Sequence, residues 1–346
     1  MALAEATTSA QRRAGLGWRV AGAFLRRREA SVVIVAGGLI AFFWTKRPDA
    51  FGTTLNLQNI TETVAPFAII AAGEVMLLIC GEIDLSVGNT YALAPALVWV
   101  VSGPDQHHLP VAVGVVVALF ASGLIGLVNG LVVTYLRLPS FIATLGMLFL
   151  LHGITLEVTH SSQQLMPAGH TFQNIFGTQI THPLYLNVEV FWALGLVLAV
   201  QFILSWTRWG LHTISTGGNL IAAAEAGVNV RGIKIGNFVL ANLLAGFAGV
   251  IDETRLTSID PNGGGSDLMF LAVAGAVIGG TSLFGGVGTA IGAFVGVLVL
   301  IILQTGLNII GQPPWEFYLI TGIAIISAMA ANVQIARLRN LGKLQL

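Results

Sequence analysis

Charge is scarce in this sequence: Lys, Arg, Asp and Glu make up 9% of its 346 residues, against 55% hydrophobic residues. A soluble domain normally carries about a quarter of its residues as charges, so the composition excludes an ordinary soluble enzyme and describes an integral membrane protein. Cysteine is nearly absent as well. Cys80 is the single one, which rules out an internal disulfide and any cysteine-built metal cluster; inside an apolar run, it reads as packing. No Gly-x4-Gly-Lys-Ser/Thr phosphate loop occurs in the chain, so ATP binding by that route is excluded. Gly286-Val287-Gly288 followed by Gly292 falls short of a dinucleotide fingerprint, because no strand precedes it. The histidines lack zinc-type spacing, and no Ser-His-Asp or paired-carboxylate arrangement can be assembled. No catalytic residue, resident metal, cofactor bound by this chain or nucleic-acid partner is expected.

Long apolar runs are what the chain has in abundance. Ten fall at Ala30 to Thr45, Thr61 to Cys80, Val87 to Ser102, Leu109 to Thr134, Ser140 to Val158, Glu189 to Trp206, Ile235 to Ile251, Asp267 to Ile278, Val287 to Asn308 and Trp315 to Val333. The expected fold is therefore all-α, a polytopic membrane protein with about ten transmembrane helices. An even count puts both termini on one side. In that topology thirteen of the sixteen Lys and Arg residues share the side of the termini, leaving Lys46, Arg47 and Arg255 opposite. The positive-inside rule makes the richer side cytoplasmic. Residues 1–29 are then a basic cytoplasmic tail, partly helical near Trp18 to Arg27. Residues 30–333 form the transmembrane domain, and 334–346 form a cytoplasmic C-terminal tail. The arginine-rich start superficially resembles a signal peptide, but no small-residue cleavage pattern follows, so the first helix is expected to be retained. External loops are expected over 46–60 and, longest of all, over 159–188, which holds no Lys or Arg.

Glycine is plentiful, at 42 residues. Pairs four apart (Gly126 and Gly130; Gly275 and Gly279; Gly288, Gly292 and Gly296) lie on one helix face and suit close helix crossings. Another set brackets the most polar break between spans, Gly81-Glu82-Ile83-Asp84-Leu85-Ser86-Val87-Gly88. An acid beside a hydrophobic span costs about 2.5–3.5 kcal/mol at helix centre on insertion scales. The pair Glu82 and Asp84 therefore either turns inward toward protein or water, or sits in a cytoplasmic hairpin that caps the next helix. The two alternate in position and would not share one helix face. Polar residues inside apolar spans, Glu74, Asn89, Asn129, Thr144, Gln304 and Asn308, together with Glu82, Asp84 and Ser86 of the acidic motif, are candidates for a translocation path. Phe141 or Trp99 would stack on an apolar ligand face. An interhelical hydrogen bond accounts for each polar residue equally well.

Residues 207–234 are too weakly polar for a simple solvated loop. Gly217-Gly218-Asn219 breaks the chain, Leu220 to Ala226 forms a short helix, and Gly227-Val228 ends it. A short helix along the membrane surface, capped by flexible turns, suits docking on a soluble partner; a plain interfacial helix is the simpler alternative.

Four phrases in order carry a family resemblance: the acidic motif Gly81 to Gly88, Phe141-Ile142-Ala143-Thr144-Leu145-Gly146, Gly217-Gly218-Asn219 with Ala222 to Gly227, and Gly279-Gly280-Thr281-Ser282-Leu283-Phe284-Gly285-Gly286. Over residues 55 to 333 the chain resembles the permease subunit of bacterial ABC importers for ribose and related sugars, a group akin to the branched-chain amino acid permeases. The resemblance implies a multi-pass subunit of the bacterial inner membrane, paired with a second permease copy or paralogue and embedded in membrane lipid. A periplasmic or extracellular binding protein would deliver a sugar or polyol. A separate cytoplasmic ABC ATPase, holding ATP and Mg, would power alternating access, so the chain itself would not be an enzyme. The implied coupling residues are Gly218, Asn219, Ala223, Glu225, Gly227 and Val228. Leu220 and Glu225 stand where such permeases commonly carry a charged and a basic residue, and Glu82 where many have a small one. A branched-chain amino acid permease and a proton-coupled secondary carrier using Glu74, Glu82 or Asp84 are the alternatives.

Overall fold

The computed structural model describes residues 30–104, 106–180 and 186–343. The tail expected over 1–29 lies outside the described residues, as do residues 344–346. Helix α1 spans Ala30–Lys46, α2 Pro48–Phe51, α3 Thr54–Ile79, α4 Val87–Ser102, α5 Val111–Tyr135, α6 Ser140–Val158 and α7 His170–Phe176. They are followed by α8 Val188–Trp206, α9 Arg208–Gly218, α10 Leu220–Glu225, α11 Val230–Leu256, α12 Gly265–Ile278, α13 Ala290–Ile309 and α14 Pro314–Lys343. Strands among the described residues are two-residue ribbons. Here β1 (Gln164–Leu165) pairs antiparallel with β4 (Ser258–Ile259), and β2 (Gln179–Ile180) with β3 (Leu186–Asn187).

Every one of the ten apolar runs falls on a helix. Among the described residues six helices, α3, α5, α6, α8, α11 and α13, are long and apolar enough to cross a membrane. The apolar parts of α1, α4, α12 and α14 are shorter, at 10–17 residues. The molecule is therefore a multi-pass membrane protein.

Several expected boundaries move. The polar stretch 46–60 is not a loop. It holds α2 and the first turns of α3, which starts at Thr54 because the Thr53 hydroxyl caps the Asn56 amide at 3.2 Å. Beside it Arg47 bonds Asp49, and that guanidinium holds the exposed carboxyl below the usual carboxylate range. The long loop 159–188 carries α7 and the strands β1, β2 and β3, β1 pairing with β4 beyond α11. Helix α11 runs from Val230 to Leu256, beyond the expected run at both ends, and α14 continues unbroken past residue 333 to Lys343.

Helix α3 is the axis of the fold. Of its most apolar stretch 83% is buried, against 17–28% for α5, α6 and α8. Helices α11, α13, α8 and α12 pack around it, and α11 in turn lies on α4 and α5. The outward faces of α5, α6 and α8 present Val116, Phe120, Phe149, Leu150 and Phe202, which suits hydrocarbon surroundings.

Glycine sets the closest crossings, as the spacing of four anticipates, except that Gly288, expected on one face with Gly292 and Gly296, lies in the loop before α13. A Cβ on Gly126 would lie 2.4 Å from the Phe238 carbonyl of α11, and one on Gly130 2.8 Å from Ile235 Cα. Helices α12 and α13 touch backbone to backbone: a Cβ on Gly296 would lie 1.9 Å from the Gly275 carbonyl, and one on Gly279 2.1 Å from that of Gly292. Such contacts leave no space for a side chain. Gly296→Val is expected to cost about 1–3 kcal/mol through overpacking and to lower the thermal midpoint in detergent. By contrast Gly153→Ala, whose added Cβ meets nothing within 4 Å, is expected to stay within about 0.5 kcal/mol of the parent.

Candidate functional site

The acidic motif folds back into the protein where α3 ends. Gly81 takes φ +82°, a conformation open to glycine, and its N–H donates to the Leu78 carbonyl while Glu82 N–H donates to that of Leu77, both at 3.0 Å. This left-handed cap closes α3 and leads residues 84–86 into the bundle interior. The amides of Ile83, Asp84 and Leu85 then donate to Ser140 Oγ at 3.4 Å, Glu74 Oε2 at 3.5 Å and Thr144 Oγ1 at 3.0 Å. Irregular backbone at this depth is tolerated because side chains supply what a helix would.

Asp84 and Ser86 are fully buried. One oxygen of Asp84 accepts from the Ser86 amide at 2.8 Å and the Ser86 hydroxyl at 2.6 Å. The other accepts from Asn129 of α5 at 3.0 Å and Asn242 of α11 at 2.7 Å. Asn129 also donates to Ser86 Oγ at 2.9 Å, and Thr90 of α4 donates to Asn242 Oδ1 at 2.7 Å. All four neighbours of the carboxyl are donors. That is the pattern of a carboxylate whose acceptor capacity is filled, so Asp84 acts here as a bracket joining α4, α5 and α11. Glu74 differs. It is fully buried, its Oε2 takes only the long bond from Asp84, and its Oε1 has no partner among the described residues.

Glu82 points the other way. Its carboxylate pairs with Lys234, near the start of α11. Three residues on, Asn237 accepts from Trp209 Nε1 of α9 at 2.8 Å and donates to the Met76 carbonyl of α3 at 3.1 Å. At the far end of α11, Arg255 meets Glu189 of α8 at 2.9 Å, Glu62 of α3 at 3.6 Å, and Asp252. Asp252 also accepts from the Tyr91 hydroxyl of α4.

The remaining candidates divide. Asn89 is buried and donates to the Leu148 carbonyl of α6 at 2.7 Å, and Thr144 is buried beside the linker. Phe141 is exposed, Gln304 is half-buried and Asn308 is exposed, and none of the three bonds to the Asp84 bracket. Trp99 packs with Met166 and Ile259, away from it. The sequence reading missed Asn242, Asn237 and Thr90. The criterion that selects Asn129, a polar residue within an apolar run, selects both asparagines of Ile235 to Ile251 as well.

The segment over 207–234 forms two helices. Trp209 and Thr213 tie α9 to Asn237. Asn219, in extended backbone, caps α10 by accepting from Ala222 N–H at 3.0 Å. Gly227 at φ +84° ends it, with Val228 N–H donating to the Ala223 carbonyl at 3.0 Å. Ala223 is buried, while Gly218, Asn219, Leu220, Ile221 and Glu225 are exposed.

The chain matches the family model described as branched-chain amino acid transport system / permease component over residues 56–329. It is 37% identical over 314 residues to the ribose import permease protein RbsC of Escherichia coli, spanning 90% of this chain and 94% of that one. With the xylose/arabinose import permease protein XylH of Sulfolobus acidocaldarius it shares 33% identity over 312 residues, 89% and 85% of the two chains. The L-arabinose ABC transporter permease protein AraH of Azospirillum brasilense is 32% identical over 303 residues, 87% and 86%. No solved structure matches the chain.

Removing the Asp84 carboxylate takes the acceptor from the buried Ser86 amide and hydroxyl and one of two acceptors from Asn129 and from Asn242. Asp84→Ala is expected to destabilise the protein by about 3 kcal/mol, charge-assisted hydrogen bonds being worth about 1.5–3 each. Thermal unfolding in detergent reads this, with Asn308→Ala as the exposed control expected within about 0.5 kcal/mol.

Proposed function

Because the chain belongs to the branched-chain amino acid transport system / permease component family, we propose that it is the membrane subunit of an ATP-binding-cassette importer for a sugar or polyol. The ten apolar helices are its spans, and both termini face the cytoplasm. A separate ATPase supplies the energy, a second permease copy or paralogue completes the pathway, and a binding protein delivers the solute outside. The names of the relatives, which are permeases for ribose, xylose, arabinose and galactose, support a sugar over the amino acid of the family description.

The observation that carries this reading is α10. Six residues long, it stands between an asparagine cap and a left-handed glycine and exposes Leu220 and Ile221, 47% and 70% accessible, with Ala223 alone turned into the protein. Apolar side chains offered on a helix fixed at both ends suit a groove on a soluble partner. ATPase closure then moves α10, and the helices behind it open the path alternately to the two sides. Glu74, Asn89, Asn129 and Thr144 line the buried part of that path. The unpartnered Glu74 oxygen is the acceptor left for a passing hydroxyl, since Asp84 is already saturated. Phe141, Gln304 and Asn308 stand outside this group.

Purifying the tagged chain from its own host in mild detergent is expected to bring down a stoichiometric ATPase, identified by mass spectrometry. Ile221→Glu puts a charge on the docking face and is expected to lose that subunit and sugar uptake together, while the chain still inserts. A chain that purifies alone and moves sugar in liposomes without ATP would overturn the importer reading.

A further inference from the structure

Two contacts join the docking segment to the linker that carries Asp84. The first is a junction of backbones. The carbonyl of Ile79, the last residue of α3, accepts from Gly286 N–H at 2.7 Å. Gly217 of α9 lies on the same carbonyl, so close that a Cβ would sit 1.7 Å from its oxygen. The ends of α9 and α3 and the loop before α13 therefore meet without side chains between them, and a displacement of one is passed to the others rather than absorbed by a rotamer change.

The second contact is the ion pair of Lys234 with Glu82, whose side chains are 17% and 11% exposed. Lys234 stands in the first turns of α11, the helix that follows α10 in the chain, where Asn229 caps the helix by accepting from Gly232 N–H at 3.1 Å. Glu82 stands two residues before Asp84. The amides of Ile83 and Asp84 make only long bonds, 3.4 and 3.5 Å, so beside the Glu82 N–H bond to the Leu77 carbonyl the ion pair is the side-chain attachment that holds Glu82 to α11. Further along, Asn242 of the same helix bonds Asp84. Lys234 and Asn242 are eight residues apart, about 12 Å along the axis. Helix α11 thus grips the linker twice, once by a charge at the docking end and once at the centre.

We propose that Glu82 and Lys234 are positioning residues that carry the movement of α9 and α10 into the Asp84 bracket, so that a shift of the docking helix rearranges the centre of the membrane domain. The proposal rests on the reading of α10 as the ATPase dock. A pair that only held the fold together would, once broken, reduce folded protein, ATP hydrolysis and transport in parallel. A transmitting pair reduces the sugar moved per ATP hydrolysed.

The test uses the whole importer, this chain with its ATPase and binding protein, reconstituted in liposomes. Uptake of radiolabelled D-ribose, D-xylose and L-arabinose is measured alongside phosphate release. Glu82→Gln and Lys234→Met are each expected to keep the ATPase bound and hydrolysis within about twofold of the parent, while sugar per ATP falls about fivefold or more, the scale of a modest coupling free energy. Exchanging the charges, Glu82→Lys with Lys234→Glu, is expected to restore most of the ratio. An unchanged ratio in both single variants, a parallel fall of hydrolysis and uptake, or an exchange that restores nothing would overturn the proposal while leaving the importer reading in place. Uptake by the unaltered chain without ATP or ATPase would overturn the importer reading and the proposal with it.

Discussion

A carboxylate taken out of water must find its donors inside the protein, and the architecture around Asp84 follows from that requirement. Four donors converge on it from its own linker, from α5 and from α11. They can do so only if three elements distant in sequence approach closely. The glycines of α5 permit that approach: Gly126 and Gly130 let α11 lie against the helix backbone, which brings Asn242 and Asn129 to the same oxygen of one carboxylate. The break between α3 and α4 is thus a structural member, built from polar bonds where the surrounding core is apolar.

The same bracket explains which parts of the site the sequence makes legible. Glycines at both ends of an acidic phrase between apolar runs mark a break that must turn inward or sit at the surface, and both outcomes occur: Asp84 turns in and Glu82 reaches the rim. The two acids' alternation already separates them. Asn242 is harder to find because its bond to Asp84 joins residues 158 positions apart, and no local period reports such a pairing. Helix α10 is legible because its limits are chemical, Asn219 at one end and Gly227 at the other. Helix α9 is not, since Gly210, Gly217 and Gly218 lower its helical propensity; packing on Ile79 and the Trp209–Asn237 bond hold it instead. The strands of the 159–188 segment are two residues long, too short to leave an alternating pattern.

Helix α11 collects most of these relationships. It receives α9 and α10 at one end, holds the acidic linker near that end and again at its middle, and carries a charged cluster at the other. From Lys234 to Arg255 it extends about 30 Å, comparable with the hydrocarbon thickness of a bilayer. A stiff element of that length, internally bonded throughout, ties the position of the Lys234 end to that of the Arg255 end without a chain of separate intermediates.

The far end of that helix has an uneven tolerance to change. Arg255 is one cation shared by three acids, Glu62, Glu189 and Asp252. Replace any one acid and the arginine keeps two partners; replace the arginine and three acids are left crowded together with no counterion among the described residues of the cluster. Substitutions drifting through this region can therefore exchange acids singly, whereas the arginine can be relinquished only if several positions on α3, α8 and α11 change in concert.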